Sequence, residues 1–135
     1  MARKVIETAM AHLELDQRGL IFVRIKAGVR LNNSGYMENV AVRKELADGN
    51  RCGVVCIFPK DMDLDVEILG MDHYSGTTVS EFTAAMAIVT GDLLYDRLFK
   101  LHAKQYLHGV PHRVFQRAAD AVKWVMEQMH ESGRS

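Results

Sequence analysis

The chain has 135 residues, 48% of them hydrophobic and 25% charged, and its 17 basic and 17 acidic residues cancel to a formal net charge of +0. This length and balance describe a single globular domain spanning 1–135, able to bury a core without metal or disulfide staples. Zero net charge removes the general electrostatic drive toward nucleic acid or anionic membrane, and no apolar stretch reaches the roughly 20 residues needed to span a bilayer.

Met1–Lys4 is basic, but Glu7 and His12 interrupt the apolar residues after it, so no signal-peptide core is expected. His12–Asp16 and Leu20–Lys26 alternate around the turn Gln17-Arg18-Gly19 and predict an antiparallel hairpin. In the second strand Leu20 and Phe22 face one way, and Ile21, Val23 and Ile25 the other. Leu31-Asn32-Asn33-Ser34-Gly35 supplies capping residues for a helix over Tyr36–Ala47, stopped by Asp48-Gly49-Asn50. Cys52–Phe58 is almost wholly apolar, as in a central strand covered on both faces, and Pro59 ends it. Asp61–Met71 reads as a helix and Ser75-Gly76-Thr77-Thr78 as a loop.

Thr83–Thr90 is the next strand. Its Ala84, Ala85 and Ala87 suggest close packing against a helix. Asp92–Leu107 is a helix with Asp92 as cap or first-turn acid, His112–Phe115 a short strand, and Ala118–Met129 a helix. In that last helix Ala118, Ala121, Val122, Val125, Met126 and Met129 step by three or four, with Trp124 at the stripe's edge. Strands alternating with helices at this spacing give an α/β domain, ββαβαβαβα, with a mainly parallel sheet and an N-terminal antiparallel hairpin.

Cys52 and Cys56 share one strand, so their Cα atoms lie about 13 Å apart. A disulfide needs less than about 7 Å, so both thiols are expected free, as in a reducing, cytoplasmic compartment.

No constellation of residues carries chemistry. Asp61-Met62-Asp63-Leu64-Asp65 opens like a calcium loop, but Val66 occupies the position of the sharp turn and Asp72 the last ligand position. It reads instead as an acidic first helical turn. His102, His108 and His112 have no acidic or cysteine partner at ligand spacing, so no metal or cofactor is expected. Thr90-Gly91-Asp92 joins strand to helix where an anion could sit, but it has one glycine and a carboxylate that repels phosphate.

The Asp92–Leu107 helix is less ordinary. Leu94, Leu98 and Leu101 form one stripe, expected to meet the sheet. Tyr95, Phe99 and Tyr106 form a second, with His102 between them. These four are the candidate partner- or ligand-binding residues. Two readings stand: a broad buried face, or an exposed aromatic patch for a homodimer, another protein or an apolar ligand.

Several local patterns carry a likeness. They are Asp16-Gln17-Arg18-Gly19, Arg43-Lys44-Glu45-Leu46, Thr83-Ala84-Ala85-Met86-Ala87-Ile88-Val89, Pro111-His112-Arg113-Val114-Phe115 and Ala121-Val122-Lys123-Trp124. With the element order, they resemble the STAS-like fold of anti-sigma-factor antagonists, and more closely the small uncharacterised bacterial STAS-like proteins. The likeness runs from about His12 to Met129. It implies a single STAS-like domain that is not an enzyme and acts as an interaction or regulatory module, with a homodimer expected. The alternative is a carrier or sensor of a small apolar ligand such as a lipid. In the antagonists a phosphorylated serine follows the strand matching Cys52–Phe58. Here Phe58-Pro59-Lys60-Asp61-Met62-Asp63 has no hydroxyl, so a switch of that type is not expected.

Overall fold

The protein is described from a computed structural model, covering residues 4–60, 63–64, 79–106 and 109–132. Its elements in chain order are β1 (Lys4–Glu7), β2 (Ala11–Leu15), β3 (Leu20–Ile25), β4 (Arg30–Leu31), α1 (Asn33–Ala47), β5 (Cys52–Ile57), β6 (Asp63–Leu64), α2 (Val79–Phe82), β7 (Thr83–Val89), α3 (Leu93–Tyr106), β8 (His112–Phe115) and α4 (Ala118–Ser132). Six strands form one sheet in the order β1-β2-β3-β5-β7-β8. The first two pairings are antiparallel and the other three parallel.

The hairpin expected at Asp16–Gly19 is held by one carboxylate. Asp16 Oδ1 accepts from the backbone N–H groups of Arg18 (2.9 Å) and Leu20 (3.1 Å), and Oδ2 accepts from the Arg18 guanidinium at 2.8 and 2.9 Å. Gly19 takes the left-handed conformation that closes the turn (φ 82°). Burial pushes the Asp16 carboxyl upward, but the bonds from Arg18 and the backbone together outweigh it and hold it below its ordinary range. Asn32 caps α1 by accepting from Gly35 N–H at 2.8 Å, and α1 ends on Asp48 in the left-handed region (φ 48°).

The sheet buries both faces of its central strands. On one face α4 lays Ala121 and Val125 over Leu20, Val55, Ala85 and Ala87. The small β7 residues let that helix approach closely, as their sequence suggested. On the other face α1, α2 and α3 cover Val23, Cys52, Val54, Met86 and Ile88. Leu20 and Phe22 pack with the first set and Ile21, Val23 and Ile25 with the second, following strand alternation.

Three features depart from expectation. Lys4–Glu7 adds an edge strand ahead of the hairpin. A four-residue helix precedes β7. Asp63–Leu64, expected within a helix, instead pair parallel to Arg30–Leu31. The remainder of that expected helix, the calcium-like stretch apart from Asp63–Leu64, and the Ser75–Thr78 loop lie outside the described residues.

Candidate functional site

In open α/β sheets ligands approach the carboxyl ends of the parallel strands. Here β3, β5 and β7 end at Ile25, Ile57 and Val89, and Phe58 N–H donates to Val89 O (3.0 Å) at that edge. α3 starts beside it. Asp92 is its cap, accepting from the N–H groups of Leu94 (2.8 Å) and Tyr95 (3.2 Å).

Beyond its cap, α3 lies in the orientation opposite to the one expected, with its aromatic side inward. Phe99 is only 5% exposed and stacks on Phe58 with centroids 4.6 Å apart; Tyr95 stacks behind it at 6.1 Å. His102 is also buried. The leucines face outward: Leu93, Leu94 and Leu101 are 69%, 63% and 66% exposed, and Leu98 is half-buried. An exposed patch built on Phe99 and His102 is therefore ruled out. Tyr106 closes the helix, and its side chain lies outside the described residues.

Physics favours this orientation, because an aromatic ring removes more apolar area from water than a leucine and gains a stacking partner in Phe58. The signal was present in the charges. At about 100° per residue, Arg97, Lys100 and Lys104 lie opposite Tyr95, Phe99 and His102, so the aromatic side is the inward one. Leu93 falls among the charges, and Leu94 and Leu101 flank Arg97.

A second feature lies deeper. α1 buries Asn39 and Arg43, four apart, beside Val40 and Leu46. Arg43 is only 3% exposed. Its guanidinium carbon sits 5.9 Å from the centre of the Phe82 ring, and its Nη1 is buried without a hydrogen-bond partner. Asn39 Oδ1 accepts from the Thr8 hydroxyl at 2.7 Å. Both residues line a small cavity of about 20 Å³ together with Tyr36, Val40, Cys56, Phe58 and Met86.

Both cysteines are free. Burial pushes both thiols above their ordinary range, and for Cys56 the opposing pull of Arg43 is smaller. The neutral thiol is therefore no counter-ion for the guanidinium.

At the other end of the sheet a cleft of about 440 Å³ carries Asp16, Arg18, Asp48 and Arg51. Asp16 is already committed to Arg18 and the turn, so the cleft offers no free acid–base pair centred on it. Among the described residues no three of His, Cys, Asp and Glu gather as a metal site, and no helix is long and apolar enough to cross a membrane.

An uncharacterised protein of the DUF3478 family from Shewanella loihica PV-4, described as having a SpoIIAA-like fold, is similar over 92% of each chain at 13% sequence identity, with a TM-score of 0.50. That likeness shows the STAS-like fold and nothing further. No curated protein matches the chain. A family model of domains of unknown function, DUF7793, matches residues 13–129, and the protein belongs to that family.

Proposed function

We propose that this domain is a non-enzymatic, cytoplasmic interaction module that pairs as a homodimer through the outward face of α3. The exposed leucines carry this reading. Leu93, Leu94 and Leu101 bracket the exposed Arg97 on a helix that already has a complete inward face. Three large apolar side chains left in water on one side of a helix form the kind of exposed patch that marks an association surface, and the arginine among them is a residue type favoured at interfaces. The carrier alternative gains less support, since the cavity beside Arg43 has room for little more than one water-sized species and the cleft of about 440 Å³ is lined largely by polar and charged residues such as Lys4, Asp16, Arg18 and Arg51.

Regulation by a phosphate at the end of β5 is not part of this reading, because Phe58, Pro59 and Lys60 offer no hydroxyl.

Sedimentation of the wild type against Leu94→Asp/Leu101→Asp tests the proposal. A dimer for the wild type and a folded monomer for the variant are expected. A wild type that stays monomeric at high concentration, or a variant that still dimerises, would refute it.

A further inference from the structure

A guanidinium belongs in water or against a carboxylate. Removing it from both is among the costliest arrangements in a fold. Arg43 Nη1 is in that position: the residue is only 3% exposed and the atom has no hydrogen-bond partner. Among the described residues no acidic side chain lines the cavity, and the Phe82 ring offers only a long cation–π contact.

The surroundings indicate what completes it. The Thr8 hydroxyl uses the Asn39 carbonyl oxygen. That bond leaves the amide N–H groups of Asn39, one helical turn from Arg43, available as further donors. A buried cationic donor without an acceptor, as Arg43 Nη1 is, calls for an anion. The cavity volume of about 20 Å³ limits its size. Roughly 10–15 Å³ by this measure admits one water, so a sulfate, a phosphate or a fatty-acid carboxylate with its chain does not fit.

We infer that the cavity between α1 and the sheet binds one halide-sized anion, held by the Arg43 guanidinium with the Asn39 amide and flanked by Val40, Phe58 and Met86. The anion neutralises the buried cation and ties α1 to β5. It makes the stability of the domain depend on the identity of the salt, not only on its concentration.

Two experiments on the full chain decide this. In crystals soaked in sodium bromide, an anomalous peak is expected within hydrogen-bonding reach of Arg43 Nη1. An ordered water there with no bromide signal would overturn the site. In solution, thermal unfolding is followed in bromide and in gluconate, an anion too large for the cavity, at equal ionic strength. With bromide at about 100 times its dissociation constant, the wild-type folding equilibrium should shift about 100-fold further than in gluconate. Arg43→Met, which keeps the length and removes the charge, should lose that difference. Equal responses to the two salts in the wild type, or an unchanged bromide effect in Arg43→Met, would contradict the assignment. If Arg43→Met does not fold, the wild-type bromide soak decides alone.

Discussion

The two faces of the sheet are built on different principles. The face under α4 is close-packed and apolar. Gly53 lies so near the helix that a Cβ there would strike Val125 and come within 2.6 Å of Met129 Sδ. The face under α1, α2 and α3 buries polar groups among its hydrophobes: Thr8, Asn39, Arg43 and His102. Burying a cation costs free energy unless something answers it, so the two faces differ in more than packing. The α4 face is held by apolar packing, and the proposed interface lies on α3, one of the helices that close the other face.

The division is tested most severely on α3, whose two sides should respond in opposite ways to one substitution. Phe99→Asp removes two ring stacks and places a carboxylate between the apolar rings of Phe58 and Tyr95, and no folded population is expected by circular dichroism. A folded Phe99→Asp variant would mean that α3 is not closed on its aromatic side.

Trp124 probes the rim of the α4 face. It is half-buried and meets Phe115 at 5.8 Å between centroids. Trp124→Ala should cost about 2–3 kcal/mol, toward the low end for removing a large aromatic. A cost below about 0.5 kcal/mol in urea unfolding would make the ring a surface group.

Gly53→Ala sharpens the picture of close packing. Val125 is β-branched and cannot easily turn aside, so overpacking of about 1–3 kcal/mol is expected. No loss would show that α4 has room to move, and the face would then be no tighter than its opposite.

The smallest effect sits outside both faces, in the hairpin. The Asp16 carboxyl is held below its ordinary range, so its stabilisation is complete above the unfolded-state value of about 3.9 and is lost as pH falls through the lower folded-state value. Asp16→Asn should therefore cost about 1 kcal/mol near neutrality and progressively less below about pH 4. A cost that does not change with pH would assign the effect to turn geometry instead of charge.

Much of the fold was legible because its signals are local and periodic. The caps at Asn32 and Asp92, the turn at Asp16–Gly19, the alternation in β3 and the stripe of α4 each arise from a few neighbouring residues. The edge strand β1 was not legible: Lys4–Glu7 is mostly exposed, so it carries no apolar alternation and is held by pairing to β2. α2 and the β4–β6 pair are too short to show any period.

The site was harder to read, for two physical reasons. On α3 the leucines outweighed the charges as an orientation signal, although Arg97, Lys100 and Lys104 mark the outer side. On α1, Arg43 occupies a core slot, in step with Tyr36, Val40 and Ala47, yet an arginine at such spacing reads as surface until the structure shows it covered. Only the tertiary fold reveals that its Nη1 has no partner.

The outward face of α3 carries the central claim, and one comparison addresses it most directly. Sedimentation and circular dichroism are measured together on Leu101→Asp beside the wild type. A native spectrum with a dimer converted to monomer is the expected result. Loss of the native spectrum in Leu101→Asp, or an identical mass for both proteins, would contradict a surface leucine face that joins two copies of the chain.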